Sequence, residues 1–379
     1  MSLFEPEDAR PRASRRVRTG WTVLLIALVL GLVMSFLPAP YVIEQPGPVY
    51  NTLGSQERDG EDVPLITIDG AETYPTDGTL DMLTVSVRGT RESRPSWAEV
   101  FSSWFDSSKA VLPVDAIYPP SVTTEQRNEQ NAALMVNSQQ EAVAAALTEQ
   151  GIDFETDVTV AAVDPDGPSA GVLEAGDAIL SVNGADATDL DALRAALAEN
   201  GTDAPATIVV RHAADPDTGA AGAEETVQIT PIISEQTDAP AIGISVSYGY
   251  VFPFDVDIQL DNVGGPSAGM MFALGIIDKL TPGELNGGQN VAGTGTIDAA
   301  GEVGPIGGIR QKLVGARDAG ASYFLAPSTN CDEVVGHVPD GLTVFAVSTL
   351  ADSMAALEAV ADGGDTSALP SCDTVQSGS

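Results

Sequence analysis

The sequence predicts an α+β protein in three parts: an N-terminal apolar helix, a β-rich middle module with two helices, and a C-terminal α/β region. An uncharged apolar run at residues 21–38 predicts the first helix, because it is long enough to cross a bilayer. Strand-like runs separated by turn residues over 151–235 predict the middle module. Glycine-rich turns that separate strands and two helices over 240–360 predict the third part.

Charge is distributed unevenly along the 379 residues, which are enough for two folded domains. The chain has 54 acidic and 17 basic side chains, and its formal net charge is −37. A body this acidic repels the phosphate backbones of DNA and RNA, so we expect no nucleic-acid partner. We interpret the acidity as a source of solubility or as an adaptation to salt.

The predicted cytoplasmic tail, residues 1–20, is basic and contains Arg10, Arg12, Arg15, Arg16 and Arg18. Arginines before an apolar span favour a cytoplasmic N-terminus. We therefore expect a single-pass cell-membrane protein with a transmembrane helix at 21–38 and everything after Pro38 outside the cytoplasm. A cleaved signal peptide is the alternative. The length of the run and the absence of a small-x-small cleavage motif favour a retained anchor.

The two cysteines, Cys331 and Cys372, both lie on the predicted outer side, where a disulfide can persist. We predict that they pair and hold the C-terminal tail, residues 361–379, which is otherwise expected to be flexible. The alternative is two free thiols. Neither their spacing nor their neighbours indicate a metal site, and the sequence indicates no cofactor.

We expect residues 40–150 to form an extracytoplasmic segment of mixed character, which can be the first part of the C-terminal α/β domain. YVIEQPGPVYN, at 41–51, is typical of an extended chain, and strand-like runs follow from Pro64 and Leu80. Residues 91–127 contain the aromatic run WAEVFSSWF and fit either a surface loop or a membrane-proximal hairpin. A helix is predicted from about Glu125 to Gln150, ending before a glycine, which commonly terminates helices.

The middle module resembles a PDZ domain of the kind found in bacterial proteases. The residues that carry this resemblance are the turn Pro168-Ser169-Ala170, the pair Gly176-Asp177 before the strand AILSVNG, and the helix LDALRAAL. PDZ domains add an extended peptide to a sheet edge, so the resemblance implies peptide binding. A domain that only packs against its neighbour is the alternative. We expect the carboxylate-binding loop at 151–157, although this segment lacks a glycine-hydrophobe-glycine pattern.

The third part contains a candidate nucleophile in the segment GGPSAGMMFALGIIDKL at 264–280. Two glycines and a proline predict a tight turn, after which Ser267 opens an apolar helix. The hydroxyl would then lie at the positive end of the helix dipole, beside unpaired backbone N–H groups. We expect the N–H groups around Gly265 and Ser267 to stabilise the oxyanion. A structural role as the helix N-cap is the alternative for this serine.

A candidate general base comes from the lysines, of which the chain has only Lys109, Lys279 and Lys312. A base must lose its proton, which lysine can do and arginine cannot. Lys279 lies about 18 Å along the same predicted helix from Ser267, which is too far for proton transfer. Lys312 starts a helix in partly apolar surroundings, where its pKa should be lowered. An ordinary solvated lysine is the alternative.

Other catalytic chemistries have little support in the sequence. His212 ends a predicted strand of the middle module, and His337 lies in the loop GHVPDG, so a serine–histidine triad is a poor alternative. The chain has no HExxH metal motif and no GxxxxGK[ST] phosphate loop. The printed sequence therefore indicates no ATPase.

The PSAG turn, together with TGTIDAAGEVGPIGGIRQKLVGARDAGASYFLAPSTN from Thr294 to Asn330, resembles the proteolytic domain of Lon proteases. The resemblance implies a catalytic dyad of Ser267 and Lys312, with Thr294 holding the lysine and the turn residues Gly265 and Pro266 supporting the serine. Many Lon proteases have an acidic residue three positions before the serine. This chain has Gly264 there, so the positioning of Lys312 should depend more on Thr294 and on backbone carbonyls.

The layout as a whole is similar to the PDZ-containing Lon-like (YlbL-type) membrane-anchored proteases of Gram-positive bacteria. This likeness implies an ATP-independent serine endopeptidase that cleaves flexible or unfolded extracytoplasmic proteins recruited by the PDZ domain. It also implies that the helix near 125–150 belongs to the protease domain, with the PDZ domain inserted, and that the chain can assemble into a homo-oligomeric ring. The rival hypotheses are a PDZ scaffold or a chaperone built on an inactive protease fold.

Overall fold

The computed structural model describes residues 15–58, 60–120, 122–213, 222–234, 237, 239–260, 263–364 and 366–377. Most of the basic tail predicted for residues 1–20 lies outside these ranges. Two 3₁₀ turns occur at Ser328–Asn330 and Thr366–Ala368. The α-helices are α1 Arg15–Ser35, α2 Trp97–Ser103, α3 Val114–Ile117, α4 Thr124–Glu149, α5 Leu190–Asn200, α6 Gly269–Leu280, α7 Ile309–Asp318, α8 Cys331–Val334, α9 Leu350–Ala361 and α10 Cys372–Ser377.

The strands divide between the middle module and the rest of the chain, which we call the protease region after the expected resemblance to Lon proteases. They are β1 Tyr41–Asn51, β2 Ser55–Arg58, β3 Glu61–Pro64, β4 Ile66–Asp69, β5 Thr79–Arg88, β6 Ala110–Pro113, β7 Glu155–Val163, β8 Ala178–Val182, β9 Ala185–Asp186, β10 Ala206–Arg211, β11 Glu224–Ile229, β12 Ile232–Ile233, β13 Pro240–Ala241, β14 Ile244–Val251, β15 Asp255–Ile258, β16 Asn290–Gly293, β17 Thr296–Ile297, β18 Val303–Gly304, β19 Tyr323–Pro327 and β20 Thr343–Val347.

The protease region is built on a six-stranded sheet in the order β20-β19-β16-β5-β1-β6. The strands from β20 to β5 are parallel, whereas β1 is antiparallel to both β5 and β6. One core cluster joins this sheet to α4, α6 and α9, and it includes the fully buried Phe272. A second cluster includes Leu313 of α7 and Phe324 of β19. The two helix layers therefore hold the sheet between them.

Residues before and after the middle module build the protease region together. Strands β1 and β5 pair with each other, and β5 also pairs with β16. Helix α4 begins with a capping box made by Thr123 and Gln126, which satisfies the backbone N–H groups at its first turn. Its residues Met135 and Ala142 pack in the same core cluster as α6. The middle module is thus an insertion between α4 and β15.

The middle module has its own core and a sheet in the order β11-β10-β8-β7-β14. Strand β7 pairs with β8 on one side, through Val158 and Thr159, and with β14 along its whole length on the other. The expected carboxylate-binding loop at 151–157 therefore overlaps the start of β7, where residues 155–157 already pair with β14. A peptide cannot add to this side of β7 unless β14 leaves.

In the part of the chain that the structure describes, no helix combines the length and apolar character needed to cross a membrane. The transmembrane helix expected at residues 21–38 is therefore not supported. The undecided region 91–127 contains α2 and α3, and the aromatic side chains Phe101, Trp104 and Phe105 are exposed there.

The C-terminal tail is ordered further than expected. Cys331 and Cys372 form a disulfide that joins α8 to α10, and both cysteines are buried. The Ala346 N–H also donates to the Pro370 carbonyl at 2.9 Å. The prediction of a flexible tail from residue 361 is therefore wrong for the described residues 366–377, because the disulfide and this backbone bond hold the segment against β20.

Candidate active site

Ser267 lies in the turn that leads into α6, beside the parallel part of the sheet. The helix begins at Gly269, and its N-cap is Ala268 with no side-chain cap bond, so the N-cap role considered for Ser267 is not the one observed. The Ser267 carbonyl accepts hydrogen bonds from the Gly295 N–H at 3.0 Å and from the Thr294 hydroxyl at 2.9 Å. These two bonds fix the serine backbone against the loop after β16.

Lys312 belongs to α7, and its side chain extends from that helix to the serine. Its Nζ lies 2.8 Å from the Ser267 Oγ and 2.9 Å from the Thr294 Oγ1. Only 1% of the lysine is exposed, so almost the whole side chain is removed from water. The structure thus brings together Ser267, Lys312 and Thr294, and the threonine contacts both members of the expected dyad.

Burial lowers the pKa of Lys312 to about 7, since the low-dielectric interior disfavours the ammonium form. The Glu44 carboxylate opposes this shift by its charge. Glu44 belongs to β1 and lies at the start of α7, where a Cβ built on Gly308 would come within 3.2 Å of its Oε1. At neutral pH a large fraction of Lys312 is therefore uncharged and able to accept a proton.

Glu44 is a residue of the site that the sequence analysis missed. The only signal in the sequence is a carboxylate in the run YVIEQPGPVYN, and that run by itself indicates no more than an extended segment. Burial raises the pKa of Glu44, and the charge of Lys312 partly offsets that rise. Each of these two charges therefore opposes the pKa shift that burial gives to the other group.

The absence of an acid at Gly264 has a steric reason. A Cβ at this position would lie only 2.8 Å from the Asn131 Cβ, so α4 leaves no room for a side chain. The expected dependence of Lys312 on backbone carbonyls is not seen. Its hydrogen bonds in the described part of the chain go to the Ser267 and Thr294 hydroxyls.

The turn before the serine is held by α4, which changes the expected oxyanion site. The Gly265 N–H donates to the Asn131 carbonyl at 2.9 Å, so it is not free to bind a substrate oxygen as expected. The Pro266 carbonyl accepts from the Ser138 hydroxyl at 3.0 Å. Gly265 itself has φ +90°, a conformation that favours glycine. Of the two expected donors, the Ser267 N–H donates to no other group within the described part of the chain.

A cavity of about 330 Å³ adjoins Ser267. Its walls are mainly apolar and include Tyr50, Met82, Leu83 and Met135. Residues 83–86 of β5 line one side, beyond Met82, the last β5 residue that pairs with β16. Beyond that point β5 pairs only with β1 among the described strands, so its backbone edge faces the cavity.

The other candidate bases lie elsewhere. Lys279 is at the far end of α6, and Lys109 forms an ion pair with Asp106 at 2.9 Å. His212 lies between Asp177 and Glu225 in the middle module. The His337 ring contacts the Val335 carbonyl of its own loop at 3.1 Å. Among the described residues, no group of three or more His, Cys, Asp or Glu is arranged to hold a metal ion.

Two family models match the chain. Residues 262–358 match the Lon protease (S16) C-terminal proteolytic domain, and residues 159–212 match the PDZ domain. The solved PDZ domain of an SdrC-like protein from Listeria innocua is 25% identical and aligns with 24% of this chain and 92% of that one, with a TM-score of 0.20. The corresponding Listeria monocytogenes domain is 24% identical, aligns with 24% of this chain and 86% of that one, and has the same TM-score.

Curated relatives match the C-terminal part. Lon protease 2 of Herpetosiphon aurantiacus is 40% identical over 100 residues, which are 24% of this chain and 12% of that protein. The Lon protease of Mycolicibacterium smegmatis is 37% identical over 95 residues, again 24% and 12%. Lon protease 1 of Bacillus subtilis is 36% identical over 89 residues, 23% and 11%. The chain thus spans only about an eighth of these relatives. The chain carries a Lon-type C-terminal proteolytic domain at residues 262–358 and a PDZ domain at residues 159–212.

Proposed function

We propose that the protein is an ATP-independent serine endopeptidase in which Ser267 is the nucleophile and Lys312 is the general base. The observation that carries the proposal is the 2.8 Å separation of the Lys312 Nζ and the Ser267 Oγ. Proton transfer requires this reach, and it also requires a base whose pKa is close to the working pH. The burial that lowers the pKa of Lys312 to about 7 meets the second condition.

In the acylation step, neutral Lys312 accepts the hydroxyl proton while the Ser267 Oγ attacks the scissile carbonyl. The negative charge that develops on the carbonyl oxygen is stabilised by the Ser267 N–H in the turn just before α6, where the helix dipole is also favourable. The C–N bond then breaks, and the lysine ammonium gives its proton to the leaving amine. An acyl-serine and a free amine result.

Deacylation repeats the sequence with water. Lys312 takes one proton from the water molecule, whose oxygen attacks the ester. That proton passes to the Ser267 Oγ as the acyl–oxygen bond breaks, and the released carboxylic acid loses its own proton to solvent. Thr294 keeps the lysine and the serine in register, because its hydroxyl contacts the Lys312 Nζ and donates to the Ser267 carbonyl. Holding reacting groups in position lowers the entropic part of the barrier.

The substrates that we propose are flexible or unfolded extracytoplasmic segments. An extended chain can lie along the backbone edge of residues 83–86, beside the apolar cavity. The printed sequence has no phosphate-binding loop, so we assign no unfolding motor to it. Recruitment by the PDZ domain is part of the proposal. The outer edge of β14 is a better place for it than β7, because β14 already pairs with β7 along its whole length.

We also propose that the protein acts outside the cytoplasm. The Cys331–Cys372 disulfide supports this location, because such bonds persist in oxidising compartments. Protection of the catalytic domain from added protease in intact protoplasts would contradict this location. Fractionation of the same cells tests the membrane attachment expected from residues 21–38.

The proteolytic function is tested with unfolded casein and peptide libraries, without ATP, on the wild type and the Ser267→Ala variant. We expect cleavage by the wild type and none above background by the variant. Equal cleavage by both would remove the basis for the proposal. Suppression of aggregation that survives both Ser267→Ala and Lys312→Ala, without any cleavage, would favour the chaperone instead.

A further inference from the structure

The catalytic cavity continues into a larger space of about 1150 Å³, which we call the outer lobe. Val85, Met135, Val263 and Gly264 line both spaces, so the two are contiguous. Strand β5 forms one wall and α4 the other. A peptide that extends from Ser267 along β5 in this direction enters the outer lobe.

The outer lobe differs from the catalytic cavity in chemistry. The cavity beside Ser267 is mainly apolar, whereas the lobe has amide side chains from α4 and from Gln259 together with Arg58, Arg127 and Asp257. Two of the 17 basic residues of a chain with net charge −37 therefore line this one space. The lining carries a positive excess on a protein that is otherwise strongly acidic.

Arg127 is the cation best placed to receive a ligand. Its guanidinium stacks over the Tyr118 ring at 4.5 Å from the ring centroid, and the side chain is half-buried. No carboxylate pairs with it within the described ranges of the chain. Arg58, by contrast, donates to the Gln259 side chain at 3.2 Å, and that amide also donates to Asp257 at 2.7 Å. Stacking on the Tyr118 ring therefore holds the Arg127 guanidinium in place. Among the described residues, its N–H groups are not taken up by a carboxylate, so they can bind one from a ligand.

The distance from the scissile bond follows from the strand. Leu83 lines the catalytic cavity, and Val87 lines the outer lobe. Four residues of strand span about 13 Å, and an extended substrate beside β5 advances by the same rise per residue. A side chain in the outer lobe therefore belongs to a substrate residue about three to five positions from the scissile bond.

We propose that the outer lobe is a substrate subsite that selects an acidic side chain three to five residues from the scissile bond, with Arg127 as the specificity-determining residue. The inference rests on the proposed proteolytic function. A guanidinium binds a carboxylate through two parallel hydrogen bonds, and partial burial strengthens this contact relative to bulk water.

The experiment uses fluorescent peptides with one central leucine in an alanine–serine background. A single glutamate is moved from position to position on both sides of the leucine, and each peptide has a glutamine counterpart. Cleavage by the wild-type chain gives the glutamate-to-glutamine ratio of kcat/KM at every position. Binding of the same pairs to the Ser267→Ala chain gives the ratio of affinities without turnover.

The expected ratio is about tenfold at a position three to five residues from the cleaved bond, and it should fall as salt is raised. In Arg127→Gln the ratio should fall to about one. Arg194→Gln is the matched control, because it makes the same charge change on the exposed face of α5 and should keep the ratio.

The outcomes separate the inference from the proposed function. Cleavage that depends on Ser267 but shows equal ratios at all positions would overturn the acidic subsite and leave the protease proposal intact. Glutamate-selective binding that Arg127→Gln removes, without any cleavage, would support the acidic subsite and contradict the protease proposal. Equal ratios in Arg127→Gln and Arg194→Gln would also overturn the role of Arg127.

Discussion

The protease region and the PDZ domain differ in what determines their sites. In the protease region the candidate site consists of side chains, and the buried Lys312 Nζ lies within 3 Å of both the Ser267 and the Thr294 hydroxyl oxygens. In the PDZ domain the expected site is a backbone edge, and β14 already occupies the one on β7. Side-chain chemistry can be identified from residue types, whereas a free edge exists only after all strands have paired.

The largest expected effect is the loss of peptide cleavage when the side-chain site of the protease region is removed. Lys312→Met should reduce kcat/KM for peptide cleavage by about 10⁴-fold or more, because Met cannot take the serine proton. Lys279→Met is the matched control, since burial also lowers the pKa of Lys279 but its side chain lies at the far end of α6. Peptide cleavage kinetics on both variants check the prediction, and equal losses would contradict it.

The same lysine should cost the protein stability. Its pKa is about 7 in the folded chain, against an ordinary value of 10.5 for a solvated lysine, so below pH 10.5 the unfolded state binds the proton more tightly. The destabilisation is complete at pH 7 and below and disappears as pH rises from about 7 to 10.5. Lys312→Met should therefore raise the free energy of unfolding at pH 7 by about 1 to 3 kcal/mol. Denaturant titrations at pH 7 and pH 10 check this, and a gain that grows with pH would contradict it.

A smaller effect tests the residue that the sequence analysis missed. The Glu44 carboxylate raises the pKa of Lys312, so Glu44→Gln should lower that pKa further and move the acid limb of kcat/KM to lower pH. Rate profiles between pH 5 and pH 9 check the direction. An acid limb that stays in place, or moves to higher pH, would show that Glu44 does not act on the lysine through its charge.

The smallest expected effect concerns the PDZ domain. Amides of β7 such as those of Val158 and Val160 should exchange slowly in the free protein, since β8 and β14 flank the strand. A bound peptide should slow exchange on β14 and leave β7 unchanged. Hydrogen exchange measured by mass spectrometry, with and without peptide, checks this. Fast exchange on β7 that peptide suppresses would show that β14 leaves and the β7 edge is the binding site.

Part of the site could be predicted from the sequence because chemistry restricts residue choice. Lysine was informative because the chain otherwise uses arginine, and the PSAG turn placed Ser267 beside a helix start. The contribution of Glu44 could not be predicted, because it depends on β1 pairing with β5 and passing the start of α7. The sequence does not reveal that the Gly265 N–H is already bonded to the Asn131 carbonyl, because that carbonyl belongs to a helix remote in sequence. The expectation that this N–H would stabilise the oxyanion fails for that reason.

The fold shows the same limit. The sequence predicts a helix from about Glu125 to Gln150 with Gly151 as its stop, and the observed α4, Thr124–Glu149, begins and ends one residue earlier. The pairing of β14 with β7 could not be foreseen, since local strand propensity does not specify a partner. The order of the tail also depends on a long-range contact, the disulfide that joins Cys372 to α8.

The most direct test of the central claim is the pH dependence of the rate at which a fluorophosphonate reagent modifies Ser267, followed by intact mass. The account predicts a single adduct on Ser267, a rate that rises with pH through about 7 and levels off above it, and a slow, pH-independent rate in Lys312→Met. No adduct on Ser267, or a rise through pH 7 that persists in Lys312→Met, would contradict it.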